Sequence, residues 1–264
     1  MARLALESAP KYAAKAMATV RIGTSGWSYK HWAKVFYPDK LPANEHLAFY
    51  AQHFSTVEIN YSYYQLPPRT TFETWRTSTP DDFVFAVKAS RYLTHMKQLK
   101  EPAEPLQRLL HNAGGLGPKL GPVLFQFPRR WRLNLLRLQE FFAALEQHPR
   151  HRYAFEFRHD SWLVGDVYAL LKQHNAALCL PVGWNIPLDI HVPADWTYIR
   201  FHGGARSIAF ADDELQPWAE RIRRWRADGV DSYSYFNNDT IENGRAPAID
   251  NARRLRELVD AWHA

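Results

Sequence analysis

Short runs in which aromatic or β-branched residues alternate with other side chains recur along the whole 264-residue chain. They are "VRIGTSGW" at 20–27, "FSTVEINY" at 54–61, "FVFAVK" at 83–88, "PVLFQFP" at 122–128, "RYAFEFRH" at 152–159, "AALCLPV" at 176–182, "WTYIRFHG" at 196–203 and "DSYSYFNN" at 231–238. A period of two reads as β-strand. Between most of these runs the apolar spacing changes to three and four, the pattern of an amphipathic helix. "NEHLAFYAQHF" opens on an Asn cap, "PRTTFETWRTS" has Pro near its start and "DDELQPWAERIRRWRADG" closes on Gly229. "EPLQRLLHNAGGLG", "LNLLRLQEFFAALEQH" and "ARRLRELVDAW" complete the set.

Strand alternating with helix argues for a parallel sheet, and eight such units argue for closure into an α/β structure of the (β/α)8 TIM-barrel type. Between the sixth and seventh strands "GWNIPLDIHVPAD" is too Pro-interrupted for a regular helix, so the barrel is expected to be irregular there. An open doubly wound sheet is the alternative. It usually carries a Gly-rich phosphate turn after its first strand, and "GTSGW" is neither GxGxxG nor a P-loop. "GGLGPKLG" at 114–121 also misses that spacing and reads as a helix C-cap followed by a turn.

Side chains alternate across a strand, so parity sorts each run into a face toward the helices and a face toward the barrel interior. Phe83, Phe85 and Val87 oppose Val84, Ala86 and Lys88; Tyr153, Phe155 and Phe157 oppose Ala154, Glu156 and Arg158. Val57, Ile59 and Tyr61 oppose Glu58 and Asn60, Val123, Phe125 and Phe127 oppose Leu124 and Gln126, and Ile199 and Phe201 oppose Tyr198, Arg200 and His202. In all five strands the inner face turns polar toward its C-terminal end, where TIM-barrel active sites are built. Parity leaves Asn237, Asn238 and Asp239, at the end of the eighth strand, unresolved, and Ser25 and Trp27 follow the first strand.

These residues are the candidate site. Glu58, Glu156 and His202 are the acid/base candidates, because carboxylate and imidazole trade protons near neutral pH when their surroundings push their pKa values apart. Lys88, Arg158 and Arg200 suit a phosphate or carboxylate, which guanidinium forks match bidentately. Trp27, Asn60, Gln126, Asn237, Asn238 and Asp239 are placed with them as substrate contacts. The expected ligand is a small anion, with Arg200→Met or Glu156→Gln abolishing its binding in a folded protein. The competing reading is an internal ion network that fills a wide barrel; placement at one end only weighs against it. His95 and His159 rank below His202, and Trp162 and Trp184 are further ring-stacking candidates.

The motifs "GTSGW", "VEINYSYY", "FAVKASRYLTH", "LFQFP", "FEFRHDSW", "YIRFHG" and "YFNND" resemble, in order and spacing, those of the YecE-like proteins, a TIM-barrel family classed as a domain of unknown function, DUF72. The resemblance covers about residues 20–260 and is weakest over 183–195. It implies the fold and a shared polar site, and it implies no reaction.

No linker or low-complexity tract divides the chain, so residues 19–264 are expected to form one domain and residues 1–18 an N-terminal extension, with Met17 a second candidate start. No apolar run approaches the eighteen or so residues of a membrane span, and the opening segment suits neither a secretory leader nor a transit peptide, so the expected compartment is the cytoplasm. Cys179, the sole cysteine, reads as a small buried apolar residue. No cofactor is expected. Glu58, Glu156, His202 and Asp239 are acceptable ligands for Mg or Mn, but three nearby cations compete for the same carboxylates. With 33 basic against 27 acidic residues the net charge is +6, which favours anionic partners only weakly. Nucleic acid is the alternative partner, through Arg221, Arg223, Arg224 and Arg226 or through Arg129, Arg130 and Arg132; a solvated helix face or loop is the favoured reading of both groups.

Overall fold

The computed structural model describes residues 18–149 and 151–261. The expected extension over 1–18 therefore lies outside the described residues except for Ala18. Eight parallel strands are present: β1 (Val20–Thr24), β2 (Thr56–Ile59), β3 (Val84–Lys88), β4 (Leu120–Gln126), β5 (Tyr153–Glu156), β6 (Ala177–Val182), β7 (Trp196–Phe201) and β8 (Asp231–Phe236). Each lies beside its sequence neighbours, and β1 pairs with β8 from Val20↔Ser232 to Thr24↔Phe236. The β1–β2 seam is held by a parallel bridge between Ser25 and Glu58 and by a 2.7 Å hydrogen bond from the Gly26 amide to the Glu58 carbonyl. The result is a nearly closed (β/α)8 TIM barrel, as the alternation of strand and helix patterns predicts.

The helices are α1 (His46–Ala51), α2 (Tyr61–Tyr64), α3 (Arg69–Thr77), α4 (Ala103–Ala113), α5 (Leu135–Leu145), α6 (Gly165–Gln173), α7 (Asp212–Ala227) and α8 (Pro247–Asp260). No helix forms between β6 and β7, the connection where proline interrupts the pattern. Helix α6, absent from the sequence-based set, has no side-chain cap and buries Val167, Leu170 and Leu171. The expected Asn cap of α1 is also not seen: Asn44 lies inside a 3-10 turn that runs straight into the helix, so its side chain has no free first turn to cap. Asn134 does cap, accepting from the Arg137 amide at 3.0 Å.

Parity divides the core in two. Val57, Ile59, Phe85, Val87, Val123, Phe125, Phe127, Phe155, Phe157, Ile199 and Phe201 pack beneath the helices. Ala86, Leu124, Ala154, Ala177, Cys179, Trp196, Tyr198, Tyr233 and Tyr235 fill the lumen. Alanines from β3, β5 and β6 face bulky rings from β7 and β8, so the lumen is packed solid below the mouth. At the N-terminal end, the foot, Arg152 closes it by donating to Asp231 and to the Tyr233 hydroxyl (2.8 Å) and lying over the Trp196 and Tyr233 rings.

Strands β2, β3, β4, β5, β7 and β8 each stop before or at their last expected polar residue. Asn60, Arg158, His202 and Asn237 lie one or two residues beyond strand ends. They are carried by the rim of a rigid sheet rather than by mobile loops, which is what an aligned site requires.

Candidate functional site

The inner faces of β2, β3, β4, β5 and β7 each end on a polar side chain: Glu58, Lys88, Gln126, Glu156 and Arg200. Parallel registers stack such residues in layers; Gln126 lies beside Glu156 and Arg200 beside Tyr235. Arg200 is the centre. Its Nε and Nη2 fork onto Glu58 (3.0 Å to Oε2, 2.8 Å to Oε1), and its Nη1 donates to Glu156 Oε2 at 2.8 Å. Glu58 also accepts from the Ser25 hydroxyl and the Tyr198 hydroxyl, each at 2.6 Å. Four donors fill its oxygens, and all three nitrogens of Arg200 are engaged. Buried charges persist only when paired and hydrogen-bonded in this way.

Glu156, also fully buried, takes the Nε of Arg158 on its other oxygen. Burial alone would raise its pKa, but the guanidinium groups of Arg158 and Arg200 outweigh that and hold the carboxyl well below the usual range. Cys179 points its thiol at the same carboxylate, 3.7 Å away, and burial followed by that negative charge pushes the thiol pKa far up. It stays an unreactive thiol.

His202 is buried beside Glu156, Nε2 to Oε1 3.8 Å. Burial holds its pKa well below normal against the pull of Glu156, so the imidazole is neutral at pH 7. Donors approach both of its ring nitrogens. Asn237 Oδ1 accepts from Asn60 (3.1 Å) and from Arg200 (3.4 Å), which turns the Asn237 NH2 toward His202 Nδ1 at 3.2 Å. Arg158 Nη2 stands 3.3 Å from Nε2, so a donor faces each ring nitrogen, and a neutral imidazole accepts from only one of them at a time.

Lys88 differs from every other cation in the mouth. It is buried, and its amine makes no hydrogen bond or ion pair among the described residues; it rests over the Tyr63 ring, 4.2 Å from the centroid. Burial first, and then the charge of Arg200, push its pKa down to about 7. Nearby, burial and the charges of Lys88 and Arg158 push His95 down to about 4. Gln126 Oε1 and Asn60 Oδ1 are buried without a partner.

Three expected contacts stand elsewhere. Trp27 packs outside the barrel against Trp75 (5.1 Å) and Phe85, because Gly26 at φ +90° breaks the alternation of β1 just before it. Asn238 has the opposite parity to Asn237 and turns outward, donating to the Ile208 carbonyl and to Asn251. Asp239 lies at the rim, where its backbone carbonyl accepts from His31 and Trp32 and burial raises its carboxyl pKa. Among the other two Trp candidates, Trp162 stacks on Phe157 in the outer layer, whereas Trp184 is 52% exposed and tilts 6.3 Å from His202. Sequence reasoning missed Tyr63, which follows β2 with no period to mark it; it placed Ser25 past the first strand and Tyr198 on the inner face with Arg200 but gave neither a role.

Among the described residues no three His, Cys, Asp or Glu side chains stand together as a metal site, and no helix is long and apolar enough to cross a membrane. The two basic segments lie at opposite ends of the barrel. Arg226 is at the foot with Val20 and Ser55, and Arg221 is folded over Trp218. Arg129, Arg130 and Arg132 are exposed in the loop after β4, at the mouth.

The chain is 25% identical over 278 residues to the UPF0759 protein YunF of Bacillus subtilis, covering 91% of this chain and 95% of that one. It is 29% identical over 141 residues to the UPF0759 protein YecE of Escherichia coli, covering 53% of this chain and 48% of that one. A DUF72 family crystal structure from Thermotoga maritima superposes with a TM-score of 0.77 at 27% identity, covering 92% of this chain and 99% of that one. One from Enterococcus faecalis gives 0.76 at 19% identity, covering 92% and 96%. The model of the family described as "protein of unknown function DUF72" matches residues 21–264, and this chain belongs to that family.

Proposed function

We propose that this protein is an enzyme that binds a small phosphate- or carboxylate-bearing substrate at the C-terminal mouth of the barrel and acts on it by acid/base chemistry. The observation that carries this reading is Lys88: a buried cation with no counter-ion, beside an ion network in which the carboxylates are already taken by arginines. A buried ammonium left alone costs several kcal/mol (~). An incoming anion removes that cost, and the relief contributes to its binding.

The residues divide by what they have left to give. Arg158 is 11% exposed along its side chain and holds Glu156 through Nε and His202 through Nη2, which leaves Nη1 for a ligand; Arg200, at 1%, has no nitrogen to spare. Lys88 and Arg158 thus hold the anion, and Arg200 with Glu58 forms the frame beneath it. Drawing Arg158 toward a ligand removes the leading charge that depresses Glu156, whose pKa then rises toward the working range. Glu156 and His202, 3.8 Å apart, form the proton-handling pair, and Trp184 stands over them.

The test is a thermal-shift screen of phosphorylated and carboxylated metabolites against the wild type, Lys88→Met and Arg158→Met. A ligand at a hundred times its Kd adds about 2.7 kcal/mol to stability. The expected result is stabilisation of the wild type by at least one anion, lost in both variants. Stabilisation that survives in Lys88→Met rules the reading out. Binding of nucleic acid that weakens steeply with salt and is indifferent to Lys88 favours the exposed arginines instead.

A further inference from the structure

We propose that the amine of Lys88 is a nucleophile that forms an imine with an aldehyde or ketone group of the substrate. This rests on the reading of the mouth as an anion site and deepens it: the substrate class becomes a small carbonyl compound that also bears a carboxylate or phosphate.

A buried lysine that serves structure sits on a carboxylate or donates to carbonyls, as Lys119 does, its amine on the Arg76 carbonyl at 2.6 Å and the Thr79 carbonyl at 2.8 Å. Lys88 has neither arrangement, and only the face of Tyr63 meets its ammonium. The two nearby carboxylates are pre-empted: Glu58 by Arg200, Ser25 and Tyr198, and Glu156 by Arg158 and Arg200. Positive neighbours, burial and no acceptor together disfavour the ammonium relative to the free amine, which keeps a nucleophilic lone pair at neutral pH. The backbone supports the aim of the side chain: Lys88 is the last residue of β3, facing into the mouth.

The chemistry closes without an external reagent. The Nζ lone pair attacks the carbonyl carbon, and the C=O π pair moves to oxygen. The oxygen then takes both hydrogens of the amine and leaves as one water, so the C–O bond breaks as the C=N bond is completed. The carbinolamine hydroxyl formed on the way is a donor, and Gln126, on the same face of the next strand, holds a buried acceptor oxygen without a partner. Protonated, the imine withdraws electrons from the neighbouring carbon, which is the activation that a proton-handling pair such as Glu156 and His202 exploits.

The experiment treats the intact protein with glyoxylate, a small aldehyde carrying a carboxylate, in the presence of cyanoborohydride, and locates fixed adducts by peptide mass spectrometry. Glycolaldehyde, of similar size without the charge, is the control. The expected result is one dominant adduct on Lys88, roughly tenfold above exposed lysines such as Lys30, Lys34, Lys40 and Lys100, with a rate that rises through pH 7. Lys88→Arg, which keeps the charge and cannot form an imine, should lose that adduct while still being stabilised by glyoxylate; Lys88→Met, checked for folding by circular dichroism, should lose both. Label spread evenly over surface lysines overturns the proposal, as does stabilisation of the wild type by glyoxylate with no adduct at Lys88; the latter leaves the anion reading standing. Equal labelling of Lys88 by glyoxylate and glycolaldehyde sustains the nucleophile and removes the anion reading instead.

Discussion

The two sides of the barrel mouth are built from the same residue types and are satisfied to different degrees. On the side of β1, β2 and β7, Ser25, Glu58, Tyr198 and Arg200 leave neither a nitrogen nor an oxygen without a partner, and the orphan on that side is Asn60 Oδ1, just past β2. On the side of β3, β4 and β5, Lys88 has no counter-ion, Gln126 Oε1 has no donor, and Arg158 is shared with solvent. A buried polar group without a partner costs about 1–3 kcal/mol, and a charge more. The saturated side therefore reads as framework, and the unsaturated side as the place where a ligand completes the bonding.

The largest effect that sharpens this contrast comes from its centre. Arg200→Met strands two fully buried carboxylates and should cost about 3–5 kcal/mol in a guanidinium unfolding curve. That departs from the sequence-based expectation that the variant stays folded, because the arginine holds the frame as well as facing the mouth. A loss below about 1 kcal/mol would erase the distinction between the two sides.

Glu156→Gln should be the next largest, at about 2–3 kcal/mol near pH 7. The folded pKa of Glu156 is depressed, so its contribution is fully present above the unfolded carboxylate pKa and is lost as pH falls below about 5. Stability measured from pH 7 to pH 3 should drop less steeply in the variant than in the wild type. Parallel curves would mean that the charge of Glu156 does not matter.

Lys88→Met should behave in the opposite sense and gain about 1–2 kcal/mol at pH 6, since burial and the charge of Arg200 outweigh the pull of Glu58 and Glu156 on the ammonium that it removes. Because the folded pKa lies near 7 and the unfolded value near 10.5, the wild type is penalised in full below pH 7 and recovers as pH rises between the two. The advantage of the variant should therefore shrink toward pH 10. A variant less stable than the wild type at pH 6 would place Lys88 in the framework.

The smallest effect is a control at the foot of the barrel. The Tyr153 hydroxyl is buried without a partner, in the outer layer, with its pKa raised to about 12 by burial. Tyr153→Phe should change stability by less than about 1 kcal/mol, toward gain. Anion-dependent stabilisation should be untouched, which separates an incidental orphan from one that awaits a ligand.

Much of this was legible from residue order alone. The alternation of "FEFR" and "YIRFH" placed Glu156, Arg158, Arg200 and His202 inside, because a strand has only two faces and a one-residue error would have buried charge among the phenylalanines. Alternating strand and helix patterns determined the barrel, and the prolines of 183–195 determined where it lacks a helix. Helix α6 was legible as well, since Val167, Leu170 and Leu171 stand at helical spacing.

What only the tertiary structure decided is who pairs with whom. Trp27 and Asn238 left the mouth because one lies past a glycine at positive φ and the other is one step out of phase. Glu58 and Lys88 both face inward from neighbouring strands, and nothing in their local sequence says that the first meets four donors and the second none. Parity is a property of the backbone and is written locally, whereas saturation depends on distances among side chains up to 142 residues apart, which exist only once the sheet has closed.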